Sequence, residues 1–214
     1  MKTTKDLLFH NIDEESCQKI ISCMHARTKV FDPGEIMYSF TDSRDKIGLV
    51  ESGEALLERM DINGSRTLLE RLAPGDVFGA VIAFGNERTD YFHVICSHKA
   101  QVLFMPYEKM LSPCSKVCAC HRQLIHNLFQ IYADKVYTFG ERIEVLSNRS
   151  IRGKFLYYLD LQASKHHSKS FLLPFTMTDL ADYLCVDRSA LSREVSHMQQ
   201  DGLFAMKGRK ITLP

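Results

Sequence analysis

The chain has 214 residues, of which 45% are hydrophobic and 25% are charged, and its formal net charge is +1. This length allows one large or two modest domains with a buried core, and the composition excludes a disordered or fibrous chain. No apolar run approaches the roughly 18 residues of a membrane-spanning helix, and the first residues lack the apolar core of a signal peptide. We therefore expect a cytoplasmic protein with no membrane partner.

Charge and cysteine content narrow the classes of function further. Residues 149–214 hold ten Lys or Arg against six Asp or Glu, whereas residues 1–148 hold 17 against 20. A basic C-terminal part is typical of proteins that bind nucleic acid or a membrane surface, although this mild asymmetry alone decides nothing. The seven cysteines are odd in number and follow no secretion signal, so we predict free thiols rather than a disulfide framework.

The first half of the chain has the pattern of a small β domain. A short helix is predicted over 13–24 from its apolar spacing, and short strands separated by glycine turns follow from about residue 28. Asn63-Gly64 between apolar runs is a strong hairpin signal. Many short strands with regular turns favour a sandwich or small barrel, and we predict a jelly roll. The expected strands include 47–53, 54–60 and a pair that ends at 102–105.

Residues 121–147 are predicted to form one long helix. Its apolar residues recur in alternating steps of four and three, which is the heptad seam along which two helices supercoil. We therefore predict dimerisation through this helix; the alternative is a single helix that packs on its own domain. A second apolar stripe of Leu124, Leu128 and Ile131 is expected to lie against the β domain. The seam consists of Ile125, Phe129, Tyr132, Val136, Phe139, Ile143 and Leu146.

Residues 176–198 have the spacing of a helix-turn-helix. We expect Thr178 to cap the first helix, Cys185-Val186 to form the turn and Asp187 to cap the second helix. The apolar residues of both helices recur on one face each and must be core. These are Leu180 and Leu184 in the first helix and Leu191, Val195 and Met198 in the second.

The other face of the second helix carries two arginines and two serines near its N-terminus. Arginine reads guanine with two hydrogen bonds, and serine bonds base edges or phosphates. Gly202 is expected to end this helix, and a hairpin that turns at Gly208 would place three basic residues beside DNA phosphates. The alternatives are an exposed helix face of an ordinary helical domain and a solvated turn. The candidate DNA-binding residues are Arg188, Ser189, Ser192, Arg193, Lys207, Arg209 and Lys210.

This order of a glycine-rich β-roll, a heptad helix and a winged helix-turn-helix resembles the cyclic-AMP receptor protein/FNR superfamily of bacterial transcription regulators. The resemblance covers nearly the whole chain. Position 189 departs from it, because members that read well-known sites carry glutamate there, so the operator sequence cannot be transferred. The matching motifs are Pro33-Gly34-Glu35, Ser52-Gly53, residues 74–79, Leu180-Ala181 and residues 187–193.

The resemblance implies an α+β fold in three parts. Residues 1–120 would form a jelly-roll sensor domain of the cyclic-nucleotide-binding type with short flanking helices. Residues 121–147 would form the dimerisation helix, and residues 148–214 the winged helix-turn-helix.

Cyclic AMP is not the expected effector. Members that bind cyclic nucleotide follow a Phe-Gly pair with glutamate for the ribose and use an arginine further on for the phosphate. Here Ala80 follows Phe78-Gly79, and Asp90 falls near the place of the arginine, with Arg88 two residues early. A carboxylate would repel the phosphodiester.

A group of thiols offers a second candidate for the signal. Three cysteines and a histidine within eight residues could bind zinc or an iron–sulfur cluster, and the FNR branch senses oxygen through such a cluster. The spacing matches no standard site, and the alternative is free structural thiols with a capping or surface histidine. Cys96 and Cys185 are expected to be small core residues. The candidate ligands are Cys114, Cys118, Cys120 and His121.

The leading interpretation is a homodimeric, sequence-specific regulator that binds a double-stranded DNA operator and responds to a small molecule or to a redox or metal signal. RNA polymerase is a further candidate partner. A cupin-like enzyme would need clustered metal ligands, but the roll offers only His93 and His98, which are five residues apart and so point to opposite faces of a continuous strand. The remaining alternative is a metal- or thiol-based redox sensor module whose helix-turn-helix serves protein contacts.

Overall fold

The computed structural model describes residues 7–39, 45–79, 92–111 and 119–214. The chain divides into two compact units, Met1–Lys135 and Val136–Pro214. In the part of the chain that the structure describes, no helix is both long and apolar enough to cross a membrane.

The first unit contains an antiparallel sheet flanked by helices. Asp13 caps the first helix by accepting a hydrogen bond from the Ser16 amide at 2.9 Å. The elements in chain order are α1 (Glu14–Cys23), β1 (Arg27–Phe31), β2 (Ile36–Ser39), β3 (Lys46–Met60), β4 (Arg66–Leu72), β5 (Val77–Phe78), β6 (Phe92–Pro106), α2 (Tyr107–Leu111) and α3 (Ala119–Ser147), the last of which continues into the second unit.

Two long strands organise the sheet. The strand β3 pairs with β6, β4 and β5, while β6 also pairs with β1 and β2, and all of these pairs are antiparallel. The hairpin predicted at Asn63-Gly64 connects β3 to β4, with Gly64 at φ +77°. The predicted β domain is therefore confirmed.

The prediction of separate strands over 47–53 and 54–60 is wrong, because β3 runs continuously from Lys46 to Met60. Gly53 has φ +78° and lies where the register between β3 and β6 shifts. A Cβ at this glycine would lie 2.1 Å from the Lys99 carbonyl oxygen. The glycine therefore serves a bulge with a close backbone approach, not a turn. The predicted strand pair that ends at residue 105 is described as one strand, β6, and residues 80–91 lie outside the described residues.

Among the described residues of the first unit, two apolar clusters form the core. Leu124, Leu128 and Ile131 of α3 pack into the one that also contains α1 and residues of β3 and β6, which confirms the predicted second stripe. The other cluster lies inside the roll and includes Cys96, which is buried as predicted.

The second unit contains the end of α3, three further helices and a small sheet. Its elements are α4 (Ile151–His166), β7 (Ser170–Leu172), α5 (Met177–Leu184), α6 (Arg188–Gln200), β8 (Ala205–Lys207) and β9 (Lys210–Thr212). The strands lie in the order β7-β9-β8. The helix α4 was not predicted, although Ser150 caps it and Phe155, Tyr158 and Leu159 form a buried face at helical spacing.

Candidate DNA-binding site

The helix-turn-helix consists of α5, a short turn and α6. Its first cap is Thr176, whose Oγ1 accepts a hydrogen bond from the Asp179 amide at 3.1 Å and donates one to Asp179 Oδ2 at 2.7 Å. The prediction that Thr178 caps this helix is therefore wrong, and Thr178 lies within its first turn. The mutual contact resembles a capping box, in which the residue three positions after the cap binds back to it.

The turn between the two helices depends on a residue in the left-handed region. Cys185 has φ +54° and ends α5, and Val186 donates a backbone hydrogen bond to the Ala181 carbonyl at 3.0 Å. Cys185 is exposed, so the prediction that it is a core residue is wrong. Cys185 follows the last residue of α5 in a left-handed conformation, so its side chain does not continue the buried row of Leu180 and Leu184.

The helix α6 has two faces of different chemistry. Leu191, Val195 and Met198 are buried, as predicted. The four predicted reading residues all lie exposed on the opposite side, and Gly202 follows the helix at φ +76°. The apolar face thus fixes the helix in its unit while the polar face stays open to a partner. The exposed set is Arg188, Ser189, Ser192 and Arg193.

Asp187 caps the N-terminus of α6 and interacts with Ser189, the second residue of the helix. Its Oδ1 accepts the Ala190 amide at 2.8 Å and the Ser189 hydroxyl at 2.5 Å. These two hydrogen bonds, the hydroxyl first, hold the pKa of the Asp187 carboxyl below its ordinary value. The carboxylate is therefore ionised at neutral pH.

Three charged side chains hold α6 and α5 against the rest of the second unit. Arg152 of α4 donates to Glu194 at 2.6 Å and lies 2.8 Å from Asp201. The buried Arg142 of α3 donates to the Tyr183 carbonyl at 3.1 Å, and its guanidinium lies 4.5 Å from the centre of the Tyr183 ring. Lys154 donates to the Leu184 carbonyl at 3.2 Å.

The wing is the hairpin of β8 and β9, which turns at Gly208 with φ +60° as predicted. Gln199 of α6 accepts a hydrogen bond from the Met206 amide at 3.1 Å, which ties the wing to the recognition helix. The three basic residues Lys207, Arg209 and Lys210 are exposed around the turn. The structure therefore brings the exposed polar face of α6 and a cationic hairpin together in one compact unit.

The predicted metal or redox residues are described only in part. Cys114 and Cys118 lie outside the described residues, Cys120 is half-buried, and the buried His121 donates from Nε2 to the Met110 carbonyl. Among the residues that the structure describes, no three His, Cys, Asp or Glu side chains are arranged to hold a metal ion. The residues on which the cyclic-nucleotide argument rests, Ala80, Arg88 and Asp90, also lie outside the described ranges.

The seam of α3 is largely open to solvent in the single chain. Phe129, Val136 and Ile143 are 75%, 69% and 68% exposed. Ile125 and Phe139 are also exposed, whereas Tyr132 and Leu146 are partly buried. Large apolar side chains in a row at this exposure indicate a surface that a partner covers.

Comparison with known proteins gives this arrangement a family. A model of the cyclic nucleotide-binding domain matches residues 28–116, and a model of the Crp-like helix-turn-helix domain matches residues 153–214. The chain belongs to the CRP/FNR superfamily. It is a DNA-binding transcription regulator of this type.

Three similar proteins share the arrangement but little of the sequence. The chain is 23% identical over 193 residues to the transcriptional activator protein FnrL of Cereibacter sphaeroides, across 84% of the chain and 73% of the relative. Among solved structures, the c-di-GMP responsive global regulator CLP of Xanthomonas campestris has a TM-score of 0.75 at 12% identity, covering 94% of this chain and 99% of that one. FixK2 of Bradyrhizobium japonicum has a TM-score of 0.66 at 18% identity, covering 88% and 92%. These two likenesses establish the fold.

Sequence reasoning missed the residues that position the recognition helix. Arg142, Arg152 and Gln199 were not singled out, because each contacts a partner that only the folded chain brings near. The one local signal was Arg142, a charged residue among the apolar positions of a long helix.

Proposed function

We propose that the protein acts as a homodimer that reads a pseudo-palindromic DNA operator with two copies of α6. The observation that carries this proposal is the division of α6 into a buried apolar face and an exposed face of two guanidinium groups and two hydroxyls. In a symmetric dimer the two recognition helices would enter successive major grooves roughly 34 Å apart.

Base reading and phosphate binding are assigned to different residues. Arg188, Ser189, Ser192 and Arg193 would contact base edges, because they lie in the first two turns of the recognition helix. Lys207, Arg209 and Lys210 would contact the flanking phosphates, since a flexible cation binds phosphate without regard to sequence.

A matched pair of variants tests this assignment. An operator is first selected by the full-length protein from random duplex DNA, and affinities are then measured on that operator and on unrelated DNA. Arg193→Ala should weaken operator binding by about 1–3 kcal/mol and relax the preference at one base position, whereas Lys207→Ala should weaken both DNAs about equally. An equal loss on both DNAs for Arg193→Ala would contradict the base-reading role.

We propose that the protein responds to a small molecule other than cyclic AMP, or to a redox or metal signal. The support is the sequence after Phe78-Gly79, where the side chain of Ala80 offers no acceptor for a ribose hydroxyl. Calorimetric titration of the full-length protein with cyclic AMP should show no binding at the nucleotide concentrations that saturate a protein with both anchors. Stoichiometric, saturable binding would contradict the proposal.

A further inference from the structure

Ser189 stands on the exposed face of α6, and its hydroxyl group has a fixed partner. The Ser189 Oγ lies 2.5 Å from Asp187 Oδ1, which also accepts the Ala190 amide at 2.8 Å. Both residues belong to the start of the recognition helix, where the side chains of a helix-turn-helix meet base edges.

The chemistry of this contact determines which atom is the donor. The ionised carboxylate of Asp187 has no hydrogen to give, so the hydrogen bond must use the single hydrogen of the Ser189 hydroxyl. What remains on the outward side of Ser189 Oγ is lone-pair density. Turning the hydrogen toward DNA would break a hydrogen bond to a charged group, which is stronger than one between neutral groups.

The four bases differ in what they offer to such an acceptor. In the major groove, adenine N6 and cytosine N4 carry amine hydrogens, whereas guanine O6 and N7 and thymine O4 are acceptors. An oxygen that presents only lone pairs attracts an amine and repels an acceptor. The negative charge of Asp187 beside it acts in the same direction.

We propose that Ser189 is a specificity-determining residue that selects adenine or cytosine at the base it faces, because Asp187 holds its hydroxyl as an acceptor. This inference rests on the proposed base-reading function of α6. It gives the recognition helix two opposite preferences: Arg188 and Arg193 donate and so favour guanine, and Ser189 accepts and so favours an amine-bearing base.

The experiment is operator selection by the full-length protein, followed by competition binding with all four base pairs at each position of a half-site. Ser189→Ala identifies the position that this residue reads, because it should relax that position alone. At that position the unchanged protein should prefer adenine or cytosine over guanine and thymine by about three- to tenfold. Ser192→Ala is the matched control, since it removes a hydroxyl one turn later on the same face and should relax a different position.

A second variant tests the cause. Asp187→Asn keeps a residue that caps helices well but removes the negative charge, so α6 should remain folded. It should reduce the preference for adenine or cytosine at the Ser189 position and leave the other positions unchanged. An unchanged preference in this variant would overturn the role of Asp187.

The inference and the function on which it rests fail in different ways. If the protein selects guanine or thymine at the position that Ser189→Ala relaxes, or if Ser189→Ala relaxes no position while Arg193→Ala relaxes one, the inference is wrong and base reading by α6 stands. If the full-length protein selects no sequence and no α6 variant changes its specificity, the base-reading function itself is wrong.

Discussion

A single charge placed in the α3 seam should separate the proposed dimer. Val136 is 69% exposed in the single chain and lies within the heptad seam. Complete burial of such a side chain contributes about 1.5–3 kcal/mol, so covering what remains exposed is expected to contribute roughly 1–2 kcal/mol per protomer. Val136→Asp removes this contribution twice, which should raise the dimer dissociation constant by about 30- to 900-fold. The two carboxylates brought together across the seam would add to the loss.

The adjacent residue offers a matched control. Tyr137 is 72% exposed but lies outside the seam. Tyr137→Asp therefore introduces the same charge one residue further along the helix, and we expect no effect on association. Sedimentation equilibrium over a range of protein concentrations measures both dissociation constants, and circular dichroism checks that both variants fold. If Val136→Asp and Tyr137→Asp associate equally well, α3 does not pair along the seam and the reasoning from its exposure is refuted.

Three further predictions concern the elements that support the two units. Thr176→Ala should lower the free energy of unfolding by about 1 kcal/mol, because it removes the cap of α5, while Thr178→Ala should stay within about 0.5 kcal/mol in the same urea titration. Gly53→Ala should lower the midpoint of thermal unfolding more than Gly64→Ala does: both glycines have positive φ, but only Gly53 has backbone atoms where the Cβ would go. Equal effects of the two substitutions would show that φ alone sets the penalty. Burial raises the pKa of Glu70 above 4.5, so the folded state binds its proton more readily than the unfolded state does. The free energy of unfolding of the unchanged protein, relative to that of Glu70→Gln, should therefore fall as pH rises through that raised pKa. Urea unfolding of both proteins at several pH values measures this difference, and a difference that rises with pH would contradict the prediction.

The parts of the site that depend on short sequence separations could be predicted. Asp187 as a cap, the burial of Leu191 and Val195, and the turn at Gly208 follow from residue type and spacing over a few positions. The wrong cap on α5 is instructive, because the rule that a capping box pairs a threonine with an acidic residue three positions later already favours Thr176 over Thr178. In this case the sequence contained the signal and the simpler preference for a threonine near the helix start obscured it.

The strand error has a different origin. A glycine at positive φ is needed both in a tight turn and at a bulge that brings two backbones close, and the local sequence around Gly53 is the same for either. What distinguishes them is the Lys99 carbonyl, which approaches from β6 and lies 46 residues away in sequence. Information of this kind comes only from the folded chain.

The residues that orient the recognition helix could not be predicted for the same reason, because their partners are distant in sequence. These residues also bear on how a dimer would position its two recognition helices. Arg142 of α3 contacts Tyr183 of α5, and Arg152 of α4 contacts Glu194 of α6, so all of these helices belong to one packed unit that begins at Val136. The later part of the seam lies in this unit as well. In the proposed homodimer, pairing of α3 from Val136 onward would therefore fix the distance between the two reading faces through contacts that lie wholly within the second unit. The spacing of the operator half-sites would then follow from the α3 seam and these arginine contacts.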